Sequence, residues 1–150
     1  MKFKIFIGLL IISILVGCNT NTETLNETDS KAPVQLSSSS LPNQKASNLA
    51  KKTLQKHTET TNIYAVNTDK TLLIALEVHH HDRLKLADFR SSVTKKINKQ
   101  FPDLKTEVST DKKLVWEIKK LEQKIMNNKI KEKQLKKEMK HLIKLMHKKT

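Results

Sequence analysis

Glycine, cysteine and aromatic residues are all scarce in this chain of 150 residues. It has two glycines, Gly8 and Gly17, one cysteine, Cys18, and only 4% aromatic residues. Both glycines precede the predicted cleavage site described below, so the mature chain lacks the glycines of a phosphate-binding loop, a dinucleotide fingerprint or a nucleophile elbow. A single cysteine excludes an internal disulfide and a multi-cysteine zinc site.

Residues 1–17 have the pattern of a removable signal peptide. Lys2 and Lys4 precede an apolar run, 5–16, which is too short for a membrane-spanning helix of about 20 residues. The sequence Leu15-Val16-Gly17-Cys18 then matches the lipobox of bacterial lipoproteins. This pattern predicts that Cys18 receives a diacylglyceryl group on its sulfur and becomes the acylated N-terminus after cleavage. The alternative is an ordinary secretory leader followed by an incidental cysteine.

Lipidation at Cys18 would determine where the protein resides. Two acyl chains, such as palmitate, anchor a protein stably because each buried methylene contributes about 0.8 kcal/mol. We therefore expect a lipid-anchored protein on the extracytoplasmic face of a bacterial cell membrane. This location argues against nucleic acid as a partner, in spite of a formal net charge of +14.

The mature chain divides into a tether, a folded part and a basic tail. Polar residues dominate 18–45, with Pro33 and Pro42 among them, so this segment has too few apolar residues to form a core. A flexible tether of this length has a reach of roughly 30 Å. We predict a signal peptide at 1–17, the lipidated cysteine and tether at 18–45, an α/β domain at 46–126 and a basic amphipathic helix at 127–150.

The spacing of apolar residues predicts the elements of the folded part. A helix begins near Ala46, and strands at 63–66 and 71–78 form a hairpin around a turn at 67–70. Asp82 is a candidate N-cap for the next helix, a third strand covers 103–109, and the last helix begins after Asp111. The order helix-strand-strand-helix-strand-helix predicts an α+β fold with a small three-stranded sheet, helices packed on one face and a long C-terminal helix.

Basic residues are concentrated near the C-terminus, because 13 of the 29 basic side chains lie in 113–150. The apolar stripe of the last helix is interrupted at Asn128 and Glu132 and resumes at Leu135. We therefore expect the part from about residue 130 to 149 to project from the domain and to contribute little to its core.

Three interpretations of this basic tail remain open: a solvated helix that frays, attraction to an anionic surface, or self-association. The anionic surface would be acidic phospholipid, a teichoic-type polymer or peptidoglycan carboxylates, and each lysine near an anionic membrane contributes about 1 kcal/mol. The candidate binding residues are Lys129, Lys131, Lys133, Lys136, Lys137, Lys140 and Lys144.

The remaining polar clusters do not indicate catalysis or a cofactor. In a strand, His79 and His81 would lie on the same face and could bind zinc or nickel together. They are the candidates for a metal site, but no other histidine or cysteine converges on them, so we expect no metal. Trp116 is expected to pack with its N–H near an edge. No pair of carboxylates comes with a substrate-binding signature, so we expect a protein that is not an enzyme.

The chain carries, in this order, the lipobox, Asn62–Asp69, Leu72–Val78, His79–Leu86, Phe101–Asp103, Val108–Asp111 and Trp116-Glu117. The order and spacing of these segments resemble the YhcN/YlaJ family of sporulation lipoproteins, and the YlaJ branch most closely. The resemblance implies a spore membrane or cortex location in a spore-forming Gram-positive bacterium, a role in sporulation or germination, and no catalytic residues. We therefore expect a structural or interaction module, with the membrane, peptidoglycan or cortex, acidic lipid or another spore envelope protein as partner.

The lipobox generates a first prediction. Because Cys18 is the only cysteine, Cys18→Ala should release the protein from the membrane or leave an uncleaved precursor. Detergent phase partitioning of wild type and variant measures this. Partitioning of both proteins into the aqueous phase would contradict the lipoprotein assignment.

Overall fold

The computed structural model describes residues 34–36, 43–79 and 85–148. Within these ranges the predicted α+β class and the predicted order of elements are confirmed. Asp82, the candidate N-cap, lies outside the described residues, and the second helix begins at Leu86. The elements are α1 (Lys45–Leu54), β1 (Thr60–Asn67), β2 (Thr71–Val78), α2 (Leu86–Gln100), β3 (Lys105–Ser109), α3 (Lys112–Met126) and α4 (Glu132–Lys148).

The sheet has the order β1-β2-β3, with β2 in the centre. Strands β1 and β2 form the predicted antiparallel hairpin, in which Ala65 is opposite Ile74. Strand β3 pairs in parallel with β2, and Val108 is opposite the same Ile74. At the hairpin turn, the N–H of Thr68 donates to the carbonyl of Thr71 at 2.9 Å.

Helices cover both faces of the sheet, which corrects the expectation that they pack on one face. Leu73 and Ala75 of β2 pack on one side against α3 and α4. Leu72, Ile74 and Leu76 pack on the other side against α1 and α2. The physical reason is the central position of β2, because its continuous apolar run places side chains on both faces and each face must be covered.

A side chain just before α1 and one from α3 occupy the free edge of β1. The amide side chain of Gln44 accepts from the N–H of Asn67 at 3.1 Å and donates to the carbonyl of Asn67 at 2.8 Å. The carboxylate of Glu122, on α3, accepts from the N–H of Ala65 at 2.8 Å. These contacts satisfy backbone groups that an edge strand would otherwise expose to pairing with another chain.

A buried ion pair joins this edge to α1. The Nζ of Lys51 lies 2.9 Å from the Oε1 of Glu122, and both side chains are buried. The Nζ of Lys51 also donates to the carbonyl of Val34. Burial raises the pKa of Glu122, whereas the charge of Lys51 and the hydrogen bond from Ala65 act in the opposite direction. The charge of Lys51 therefore compensates for part of the cost of burying the carboxylate.

The Lys51–Glu122 pair generates a second prediction. Lys51→Met leaves a buried carboxylate without its cation and should lower the free energy of unfolding at pH 7 by about 3–5 kcal/mol. The pKa of Glu122 then rises further. A carboxyl group whose pKa is higher in the folded state than in the unfolded state lowers the stability of the protein as the pH rises above the unfolded pKa, about 4.3. Urea denaturation should therefore show a larger loss at pH 7 than at pH 4.

The exposed neighbour Lys52 provides the matched control, and Lys52→Met should leave the free energy of unfolding nearly unchanged. An equal loss at both pH values for Lys51→Met would show that Glu122 does not remain as an unpaired buried carboxyl group.

Helices α3 and α4 form a hairpin, and polar residues determine where α3 begins and ends. Helix α3 begins after Asp111, as predicted, and Asp111 caps it, because its Oδ1 accepts from the N–H groups of Lys113 and Leu114 at 2.9 and 3.1 Å. At the other end Asn128 has a φ of 52°. The N–H of Lys129 donates to the carbonyl of Lys124 at 2.8 Å, which closes a Schellman motif. Asparagine thus adopts the left-handed conformation for which glycine is usual.

The basic tail packs on the domain, and the expectation that it projects was wrong. Ile130, Leu135, Met139 and Leu142 are buried in the same cluster as the apolar side of α3. Of the two interrupting residues, Asn128 lies in the turn between α3 and α4 and Glu132 is the first residue of α4, so the apolar stripe reverses direction instead of ending. The cost of exposing this stripe to water explains why α4 packs.

Packing of α4 generates a third prediction. Leu135→Ala should lower the free energy of unfolding by about 2–5 kcal/mol, because the side chain is fully buried. Thermal unfolding measures this, with the exposed Lys137→Ala on the same helix as control. Melting temperatures of the two variants that agree within about a degree would show that α4 is detached from the core.

Candidate functional site

The outer side of α4 is a face of lysines. Leu135, Met139 and Leu142 point into the core, and the lysines recur at three- and four-residue spacing on the opposite side of the same helix. All seven lysines predicted as binding residues are exposed. The exposed lysines within α4 itself are Lys133, Lys136, Lys137, Lys140, Lys144 and Lys148.

The carboxylates on α4 lie beside this face and are engaged in ion pairs. Lys136 lies 2.6 Å from Glu132 and 3.4 Å from Asp69, and the hydrogen bond that its Nζ donates to Glu132 raises the pKa of Lys136. Glu138 pairs with Lys124 of α3 at 2.8 Å. Among the described residues, Lys136 is the only one of the seven predicted lysines with a carboxylate at ion-pair distance. The lysine face therefore keeps most of its positive charge.

The outer side of α3 is basic as well, although its lysines are not among the seven predicted binding residues. This helix packs on the same face of the sheet as α4, so their outer sides form one layer. The signal was present in the sequence, since lysines lie opposite the apolar stripe that begins at Leu114. We call the following residues the basic layer: Lys112, Lys113, Lys119 and Lys120 of α3 with Lys133, Lys137, Lys140 and Lys144 of α4.

Trp116 lies in the middle of the α3 part of this layer and is 54% exposed. It was expected to be a packing residue, and that expectation was wrong. The Nζ of Lys120 lies 3.0 Å from the centroid of its ring, in a cation–π arrangement. The Nζ of Lys119 lies 5.9 Å from the ring centroid of Tyr64, on β1. Two aromatic rings and two lysines thus form an amphipathic patch.

A groove of about 600 Å³ lies beside these aromatic rings. Tyr64 and Trp116 line it together with Glu77, Lys112 and Lys119. Burial, reinforced by the negative charges of Glu77 and Glu122, raises the pKa of Tyr64. Its hydroxyl therefore stays protonated at neutral pH and can donate a hydrogen bond.

The other sequence-predicted sites are only partly within the described residues. Cys18 and His81 lie outside them. The N–H of His79 donates to the carbonyl of Glu59 at 3.2 Å, which continues the edge of the hairpin beyond β2. Within the ranges that the structure describes, no group of three or more histidine, cysteine, aspartate or glutamate side chains is arranged to hold a metal ion.

Comparison with known proteins gives no relative from which a role could be transferred. The chain matches no family model, no curated protein and no solved structure at a significant level. None of the helices in the described part of the chain has the length and apolar composition needed to cross a bilayer. The basic layer and the groove beside Trp116 are therefore interpreted from their own geometry and charge.

Proposed function

We propose that this protein is a lipid-anchored module on the extracytoplasmic face of the cell membrane and that its basic layer binds anionic components of the cell envelope. It acts by binding and not by catalysis. The observation that carries the proposal is the two-sided character of α4, whose apolar side is buried while its lysines are exposed and mostly without acidic neighbours.

The arrangement of these lysines favours an anionic partner over a purely solvated helix. Pairs four residues apart, such as Lys133 with Lys137 and Lys140 with Lys144, place like charges next to each other on the helix surface. Each such pair destabilises a helix by about 0.2–0.5 kcal/mol. An anionic surface would relieve this repulsion, whereas self-association of two lysine faces would increase it. Self-association through this face is therefore disfavoured.

The biological setting is proposed from the lipobox and the family resemblance. A lipobox cysteine followed by a polar tether would hold the domain outside the membrane, within reach of the wall. The resemblance to the YhcN/YlaJ lipoproteins points to the spore membrane and cortex region of a Gram-positive bacterium and to a role in sporulation or germination. Peptidoglycan or cortex, acidic lipid and another spore envelope protein are the partners this setting offers.

Binding to anionic surfaces is the fourth prediction. The probe protein is the unlipidated mature chain, residues 18–150 with Cys18→Ser, tested on phosphatidylglycerol vesicles and on purified sacculi. It should bind at low salt and bind less at 0.15 M salt, because the Debye length shortens from about 30 Å at 0.01 M to about 8 Å. Changing Lys133, Lys137, Lys140 and Lys144 to Gln together should weaken binding at least about tenfold.

The matched control changes four lysines of α1, its C-terminal end and α2, on the other side of the sheet. These are exposed, and their change to Gln alters the net charge equally but should leave binding much closer to wild type. They are Lys45, Lys52, Lys56 and Lys99. Equal losses in the two variants would show that net charge alone, and not the basic layer, attracts the protein. No binding to either surface at low salt would contradict the proposed function.

The proposed location has its own test. A fluorescent fusion should concentrate at the developing spore during sporulation, and the Cys18→Ala form should lose that position. A signal that remains uniform around the mother cell would contradict the spore assignment without affecting the proposal of anionic binding.

A further inference from the structure

The groove beside Trp116 lies where the parallel strands of the sheet end. Strand β2 ends at Val78 and β3 ends at Ser109, and the groove is lined by Val78, Thr110 and Lys112. In open α/β sheets, ligands bind in the crevice outside the carboxyl ends of the strands. The volume of about 600 Å³ is within the range of small-ligand sites, about 300–1,000 Å³.

The lining of this groove combines a flat apolar surface with hydrogen-bonding groups. Trp116 supplies an indole ring that is half exposed, and Tyr64 supplies a second ring with a protonated hydroxyl. Lys120 contacts the Trp116 ring but does not line the groove, so it supports the indole while the ring forms part of the groove wall. Glu77 adds a hydrogen-bond acceptor and is oriented by the amide of Asn62 at 2.9 Å.

A pyranose ring has the chemistry that this lining matches. One face of the sugar presents C–H groups that pack on an aromatic ring, and its edge presents hydroxyl and amide groups for polar side chains. Lys112 and Lys119 border the groove without a carboxylate at ion-pair distance among the described residues. They therefore offer two cations to a carboxylate carried by the sugar.

Lipid and peptide fit the groove less well than a sugar. The exposed large apolar residues in the described ranges are Val34, Leu49, Trp116 and Met126, and of these only Trp116 lines the groove. An acyl chain in the groove would remove water from the charges of Glu77, Lys112 and Lys119 without offering them a partner, which is costly. A lipid tail therefore fits poorly, although part of the lining is aliphatic: Leu76, Val78, Leu86 and Val115. The nearby edge of β1 is occupied by Glu122, so a peptide could not add there as a strand.

We propose that the groove between Tyr64 and Trp116 binds a pyranose unit of a carboxylate-bearing amino-sugar glycan, such as a peptidoglycan strand in which the peptide stem is absent and the muramoyl carboxylate is free. Trp116 stacks on the sugar ring, and Lys112 and Lys119 bind its carboxylate. The inference rests on the proposed extracytoplasmic location, because only there would such a glycan be within reach. The site is separate from the lysine face of α4, which would attract anionic surfaces without recognising a sugar.

Trp116 is the only tryptophan of the chain, so its fluorescence reports on the groove directly. The fifth prediction is that N-acetylglucosaminyl-N-acetylmuramic acid, added to the unlipidated mature chain, changes this fluorescence in a saturable way. N,N′-diacetylchitobiose, which lacks the lactyl carboxylate, should bind about tenfold more weakly. Changing Lys112 and Lys119 to Gln should abolish that preference, since a tenfold difference, about 1.4 kcal/mol, is the size expected of a hydrogen bond to a charged group.

Variants of Trp116 are followed by isothermal titration calorimetry. Trp116→Ala should lose binding of the disaccharide and Trp116→Phe should retain part of it, while both keep the wild-type melting temperature because the side chain is exposed. The four-lysine α4 variant should bind the disaccharide like wild type, so failure of anionic-surface binding and failure of the groove are distinguishable.

Three results would overturn the inference. They are the absence of a saturable fluorescence change with the disaccharide, a fluorescence change with neutral phosphatidylcholine vesicles in place of the sugar, and unchanged disaccharide binding by Trp116→Ala. The second result would assign Trp116 to the membrane surface.

Discussion

The carboxylate of Glu122 lies at the free edge of β1, and several parts of the fold meet there. It accepts hydrogen bonds from the N–H of Ala65 and from Lys51, so α3, β1 and α1 are joined through one buried group. Lys51 in turn holds the carbonyl of Val34, where the chain approaches the domain from the predicted tether. Burial raises the pKa of this carboxyl group, so the charged carboxylate depends on the cation of Lys51 beside it.

The closed edge of β1 limits the ways in which the domain can contact a partner. A free edge strand near a membrane or wall would be open to pairing with other chains, and Gln44 and Glu122 remove that possibility at Asn67 and Ala65. Interactions of the domain would then be directed to side-chain surfaces. The two side-chain surfaces that we propose as binding sites differ in chemistry. The face of α4 offers charge alone, and the groove at Trp116 offers an aromatic ring, hydrogen bonds and charge.

The lysine face of α4 depends on the hairpin that α3 and α4 form. It turns at Asn128, whose left-handed conformation and Schellman hydrogen bonds reverse the chain without a glycine. Once the chain reverses, the apolar residues of α4 return to the core and its lysines face outward beside those of α3. A straight continuation of α3 would have left both the apolar stripe and the lysines in solvent. Docking of the tail is therefore what makes a continuous basic layer.

The sequence by itself determined the order of the elements, the hairpin turn at 67–70, the start of α3 after Asp111 and the exposure of the seven lysines, because each depends on local spacing or composition. The tertiary structure decided that helices cover both faces of β2, that α4 packs on the core, that Trp116 is exposed, and that Lys51 meets Glu122. These outcomes join residues far apart in the chain: Lys51 and Glu122 are separated by 71 positions. Periodicity identifies the apolar side of a helix, but which partner covers that side depends on long-range packing and on how the chain reverses.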